Sequence, residues 1–197
     1  YNRYGGTALN WYKGPDPRPD YYRNLPSFHR DSQETYNKYW GLWEGKDKSV
    51  TQINWDDLYS QNHLSAREGK EAIYMVEERR SDLYEATFNS TLNTVISPNM
   101  KLNAGVGLRT SLSKQFKTVD DLLGAQYVLD IDKFAEQDTP GDKFVIQNDL
   151  NRPDRKVYKD DTFGYDFDLR VNSANIWFQN EYTYQKFDFY YGTKLTY

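Results

Sequence analysis

The sequence contains no cysteine. Disulfides and thiolate metal sites are therefore excluded, while secreted, periplasmic and cytosolic locations all stay open. Its two histidines, His29 and His63, stand far apart along the chain, which argues against a histidine-rich zinc centre. Positive charge is not in surplus: 25 Lys and Arg face 29 Asp and Glu, a net charge of -4. A nucleic-acid binder is normally basic, so no nucleic-acid partner is expected. Long hydrophobic runs are missing as well, and none approaches the roughly 18 residues of a transmembrane helix. A membrane β-barrel remains open, because its alternating strands score as polar. Glycine-rich phosphate loops, nucleophile elbows and metalloprotease motifs are absent. The expectation is a protein that is not an enzyme, with no catalytic residue, no metal and no cofactor. The chain starts at Tyr1 rather than Met, and no signal peptide is expected in it.

Aromatic rings are what the sequence has in abundance: 18 Tyr, 10 Phe and 5 Trp make 17% of the chain. Mean hydropathy is -0.94, polar enough for disorder, but disordered chains are poor in aromatics. Rings of this kind favour strands and interfaces. Residues 1–70 mix them with turn formers. Gly5-Gly6, the run Gly14-Pro15-Asp16-Pro17-Arg18-Pro19-Asp20 and Leu25-Pro26 interrupt regular structure, since proline fixes φ and lacks the N–H. Among and after them stand Trp11, Tyr12, Tyr21, Tyr22, Phe28, Tyr36, Tyr39, Trp40 and Trp43. The stretch reads as one long structured loop. It holds a short helix at 54–61, capped by Asn54 and favoured by Asp56 and Asp57 in its first turn. Loops this long are usually functional.

From residue 71 the texture changes to strict alternation. Tyr84, Ala86, Phe88, Ser90, Leu92, Thr94 and Ile96 lie on one face of a strand, opposite Glu85, Thr87, Asn89, Thr91, Asn93 and Val95. After the Ser97-Pro98-Asn99 turn, Leu102, Ala104, Val106, Leu108, Thr110 and Leu112 alternate with Asn103, Gly105, Gly107, Arg109 and Ser111. The expected strands are 72–97, 100–113, 163–184 and 187–197, with a turn at Gln185-Lys186. Residues 114–162 form a second loop region, with a helical turn at 119–123 and a short strand at 127–131. The phase slips by one residue near 172–175, where a bulge within one strand is favoured over a turn.

These arms are far longer than the usual 5–6 residues. A soluble sandwich turns its apolar faces into a core; a membrane barrel turns them to lipid and lines its lumen with polar residues. Three features favour the barrel. The polar faces carry Asn, Thr, Gly, Gln and Arg; aromatics gather at the 185–186 turn like an interfacial girdle; and short turns alternate with long loops. The expected fold class is all-β, an antiparallel outer-membrane β-barrel segment with long strands. Its short turns are periplasmic, and its long structured extracellular loops contain short helices. Four strands cannot close a barrel, and an open edge in lipid is not allowed, so an internal piece of a larger barrel is expected.

The residues also resemble a family. The segments Ala8-Leu9-Asn10-Trp11-Tyr12 and Pro15-Asp16-Pro17-Arg18-Pro19-Asp20-Tyr21-Tyr22-Arg23-Asn24-Leu25-Pro26 resemble an outer loop of TonB-dependent outer-membrane receptors of Bacteroidetes type. Further similar segments are Gln52-Ile53-Asn54-Trp55-Asp56-Asp57-Leu58-Tyr59, Tyr74-Met75-Val76-Glu77-Glu78-Arg79, Asp121-Leu122-Leu123-Gly124, Asp130-Ile131-Asp132-Lys133-Phe134-Ala135-Glu136 and Phe163-Gly164-Tyr165-Asp166-Phe167-Asp168. The likeness covers nearly the whole chain. It implies a barrel of about 22 strands with an N-terminal plug, taking up nutrients with energy from an inner-membrane TonB complex. No plug or TonB box is recognisable here, so the plug domain is expected to be absent from this chain. The implied partners are outer-membrane lipid, a nutrient ligand such as a glycan or peptide, the TonB complex through other parts of the receptor, and a surface lipoprotein lid. The implied location is the outer membrane of a Gram-negative bacterium. The alternative is a soluble glycan-binding β-sandwich module.

Candidate ligand-binding residues are Trp11, Tyr12, Asp16, Arg18, Asp20, Tyr21 and Tyr22, whose rings can stack on sugars while the charges orient polar groups. The competing reading packs them inside their own loop. Asp130, Asp132, Glu136 and Asp138 supply oxygen ligands for Ca²⁺, but lack the glycine and terminal glutamate of an EF-hand, and a solvated acidic face is the simpler reading. Glu77, Glu78, Asp82 and Glu85 invite comparison with a glycosidase pair. Arg79 and Arg80 among them make cross-strand ion pairing the favoured reading. The two histidines are expected to be loop residues with ordinary hydrogen bonds.

Overall fold

The computed structural model describes residues 1–11, 14–139 and 141–197. Among them the order is β1 (Asn2–Trp11), α1 (Gln33–Glu44), α2 (Lys48–Thr51), α3 (Trp55–Arg67), β2 (Tyr74–Ser97), β3 (Met100–Asp121), β4 (Val128–Leu129), α4 (Lys133–Asp138), β5 (Lys156–Val157), β6 (Thr162–Tyr184) and β7 (Phe187–Thr196). Two 3-10 turns, Tyr22–Asn24 and Pro26–His29, precede α1. The fold is mostly antiparallel β. One sheet has the order β1-β2-β3-β6-β7, and β4 pairs with β5 in a second. β2, β3 and β6 are 24, 22 and 23 residues long, about four times the common strand.

Two expectations need correction. Residues 1–70 are not loop throughout, because β1 pairs at the sheet edge with β2. Its Gly5-Gly6 pair reads locally as a turn, but a neighbouring strand overrides local preference. The strand expected over 100–113 runs on to Asp121, so 114–121 is not loop and no helical turn forms at 119–123. The run Ser113-Lys114-Gln115-Phe116-Lys117-Thr118 is polar, and its extension follows from β2 and β6 flanking it. Through 172–175, β6 continues without a turn.

The chain forms two compact units. The strand unit comprises Tyr1–Gly5, Arg80–Gln115 and Asp166–Tyr197. Its hairpins close through Pro98-Asn99 and through Gln185-Lys186, where Gln185 takes a φ of 55°, the left-handed conformation that two-residue hairpins need. Gly105 and Gly107 are required by packing: a Cβ on Gly105 would stand 2.6 Å from Trp177 Nε1, and one on Gly107 2.6 Å from Asn175 Nδ2 and 2.9 Å from Asn89 Oδ1. Those contacts place Asn89, Gly105, Gly107, Asn175 and Trp177 on one face. Along strands the faces alternate, so Phe88, Leu92, Ile96, Val106, Leu108, Ile176 and Phe178 share the other. Every one of these seven side chains is exposed.

The loop unit comprises Gly6–Arg79 and Phe116–Tyr165. It holds two apolar clusters. Ala72, Met75, Val119, Leu122, Val128, Val157 and Phe163 form one, joined by the Val128↔Val157 pair of β4 and β5. Leu58, Tyr74 and Leu123 form the other, with Leu9, Trp11 and Ile53 against them. Asn54 caps α3 by accepting from Asp57 N, and Asp56 and Asp57 sit in its first turn, where acids complement the helix dipole. Buried Asn62 on α3 ties the unit together: its Nδ2 donates to the carbonyls of Tyr74, Leu122 and Leu123, and its Oδ1 accepts from the amides of Ile73 and Tyr74.

Candidate binding surfaces of the loop unit

Trp11 ends β1 half-buried against the Leu58–Tyr74–Leu123 cluster. The Arg18 guanidinium covers its ring at 5.1 Å, a cation–π arrangement. Asp16 holds that guanidinium in place, accepting from Nε at 3.0 and 3.1 Å and from Nη2 at 2.6 Å, and it accepts from the Arg18 amide as well. Asp20 is exposed, and its charge acts on Arg18. Tyr12 lies outside the described residues.

Tyr21 and Tyr22 belong to a second aromatic group. Their rings meet edge-on at 4.7 Å, Tyr22 meets Phe28 at 5.0 Å, and His29 stacks on Tyr39 of α1 at 4.3 Å. Arg23 covers both tyrosines and donates from Nε to the Tyr22 hydroxyl. The predicted residues thus divide into a Trp11–Asp16–Arg18 clamp and a Tyr21–Tyr22–Phe28 stack. The loop's backbone joins them, with Tyr21 N donating to Arg18 O at 3.1 Å. Tyr22 and Phe28 each keep about half of their surface open. His29 donates from Nε2 to the Arg23 carbonyl at 2.9 Å. His63 lies on α3, not in a loop, with its imidazole against Gly124.

The acids read as metal ligands have other duties. Asp130 is buried and accepts from Arg155, Asn148 Nδ2 and the Gly164 amide. Asp132 caps α4 through the amides of Phe134 and Ala135. Among the described residues no three His, Asp or Glu side chains converge as a metal site would require. The acids of β2 pair with arginines along their own strand: Arg79 with Glu77 at 2.6 Å and Arg80 with Asp82 at 2.7 Å. Same-face neighbours two residues apart are roughly 6–7 Å apart in a strand, within reach of an arginine. Cross-strand pairs are made as well, by Glu85 with Arg109 and by Glu77 with Lys117.

The sequence reading missed a polar network centred on Glu77. This carboxylate is fully buried. It accepts from Asn10 Nδ2 at 2.7 Å and Arg79 Nε at 2.6 Å, and Lys117 Nζ lies 3.7 Å away. Asn10 passes the network on, because its Oδ1 accepts from Lys133 Nζ, which also donates to the Trp11 carbonyl at 3.0 Å. Burial pushes the Lys133 ammonium below its ordinary value; Glu77 pulls the other way, and Lys117 and Arg79 push with burial. Beside this network is a cavity of about 260 Å³, lined among others by Lys117, Lys133, Met75, Phe134, Phe163 and Asn148. Lys117 Nζ lies 4.4 Å from the Phe163 ring centre. Its stem passes Gly164, where a Cβ would stand 2.2 Å from Lys117 Cε. Only Asn10, a polar residue between Leu9 and Trp11, hinted at this network; Glu77 stands first in the charged run Glu77-Glu78-Arg79-Arg80.

No family model, curated protein or solved structure matches the chain.

Proposed function

We propose that the chain is part of a TonB-dependent outer-membrane receptor for nutrient uptake, contributing barrel wall and ligand- or partner-contacting loops. The observation that carries this reading is the exposed apolar face of the strand unit. Phe88, Leu92 and Ile96 on β2, Val106 and Leu108 on β3, and Ile176 and Phe178 on β6 are all open. Among its described residues the unit consists of strands of one sheet and their turns, so it supplies no second layer to cover that face. The opposite face is polar and internally bonded, with Glu85–Arg109, Asn103–Glu181 and Thr183–Asp188. Water on the polar face and lipid on the apolar one satisfies both.

The register of β6 and β7 supports the same reading. It sets Tyr182 opposite Phe189 and Tyr184 opposite Phe187, two aromatic pairs beside a two-residue turn, where a barrel carries its interfacial girdle. β1 and β7 are the sheet's edges. Lipid tolerates no unpaired edge, so in this reading further strands close the barrel. The Trp11–Tyr22 loop then faces outward, available to a nutrient ligand or a surface lipoprotein lid, and the TonB complex acts through other parts of the receptor. Outer-membrane lipid is the remaining partner.

Fractionation of the native host with detergent extraction, followed by mass spectrometry, tests this. The expected result is that peptides of this chain appear in the outer membrane within a heat-modifiable protein. Recovery of the chain in the soluble fraction would overturn it and favour a glycan-binding β-sandwich.

A further inference from the structure

The cavity beside Glu77 has charges that do not balance. Its walls carry two ammonium groups, Lys117 and Lys133. Lys117 shares Glu77 with Arg79. Lys133 is half-buried and held by two neutral oxygens, Asn10 Oδ1 and the Trp11 carbonyl, with no carboxylate in ion-pair contact among the described residues. Asp132 is the one carboxylate on the walls, and its side chain accepts from the Phe134 and Ala135 amides of α4. Around one buried carboxylate there are thus three cations, Arg79, Lys117 and Lys133. Withdrawing a cation from water without an anionic partner is costly, and an incoming anion removes that cost.

Asn10 and Asn148 add neutral polar groups, and Met75, Phe134 and Phe163 give part of the wall an apolar character. The volume of about 260 Å³ admits a compact charged group with a short apolar portion. Gly164, at a φ of 72°, leaves the path by which Lys117 reaches the cavity. We propose that this cavity is a binding site for an oxyanion, a carboxylate, sulfate or phosphate carried on a larger ligand. Lys133 and Lys117 supply the charge, and Phe163 and Met75 receive the apolar part adjoining it. Ammonium groups act as point charges without the fixed fork of arginine, so the site recognises negative charge rather than one planar geometry. The site stands on the geometry of the loop unit alone, and a soluble location of the chain would leave it in place.

The test is calorimetry on the purified chain at constant ionic strength with three probes: benzoate, sodium sulfate and inorganic phosphate. The expected result is saturable binding of at least one probe at a single site. Lys133→Met and Lys117→Met should each weaken it about tenfold or more, with partial rescue by Lys133→Arg. Absence of saturable binding with all three probes, or unchanged binding in both methionine variants, would overturn the proposal. A second measurement needs no variant. Amine acetylation read by mass spectrometry should slow at Lys133 and Lys117 when the bound probe is present, while exposed Lys38 and Lys159 stay unchanged. Equal rates at all four lysines with and without probe count against the site. Benzoate alone binding assigns a carboxylate ligand; sulfate or phosphate binding assigns a tetrahedral oxyanion.

Discussion

Asn62 spends both ends of its side-chain amide on buried backbone groups. It bonds three carbonyls and two amides drawn from the start of β2 and the end of β3. Leaving a buried backbone group unsatisfied costs roughly 1–3 kcal/mol. Asn62→Leu is therefore expected to lower the loop unit's stability by about 3–5 kcal/mol, read as an earlier transition in urea; a loss below about 1 kcal/mol would contradict this role. Asp16 is the pH-sensitive member of the predicted site. Burial raises its carboxyl, but the side-chain and backbone hydrogen bonds from Arg18 and that residue's charge outweigh burial and hold it below its ordinary 3.8. A depressed carboxyl stabilises the fold above its unfolded value, and that contribution is lost as pH falls through the folded value. The clamp over Trp11 is thus expected to persist through pH 3.8 and open below it. Protection of the Arg18 amide against hydrogen exchange, compared at about pH 5 and about pH 2, checks this; equal protection at both would rule it out. Neither residue's partners were legible in the sequence. Asn62 lies mid-helix with no local signal, and its five bonds span up to 61 positions.

At the scale of the element, the long strands were the most legible part, because period-two alternation persists for many residues in 84–96, 102–112, 163–171 and 187–195. β1 was not, since its order comes from pairing with β2 rather than from its own pattern. Helix α3 was expected at 54–61 and continues to Arg67; its cap is a local signal and its length is set by packing Leu58 and Asn62 into the unit. The apolar face of β2 leads to a prediction of its own. In lipid a lysine at the middle of such a face costs about 2–4 kcal/mol, falling toward the interfaces. Leu92→Lys is accordingly expected to reduce the heat-resistant, outer-membrane-assembled form of the protein in its host, whereas Thr91→Lys on the opposite face leaves it unchanged. Equal tolerance of both substitutions would argue against lipid on that face.

For the molecule as a whole, the sequence by itself determined the class: an antiparallel, strand-dominated chain with one apolar and one polar strand face, two loop-rich stretches and no cysteine chemistry. Those properties are local or periodic, and each can be read within a window of about ten residues. Only the tertiary structure decided which residues the loops bring together. Trp11 meets Arg18 seven positions along the chain, but Lys133 and Asn10 are separated by more than a hundred positions, and nothing periodic links them. The same holds for Glu77, which looked like one of several strand acids and is instead a buried hub for Asn10, Arg79 and Lys117. Burial and the identity of long-range partners depend on how separate segments pack, and one-dimensional patterning carries no term for that.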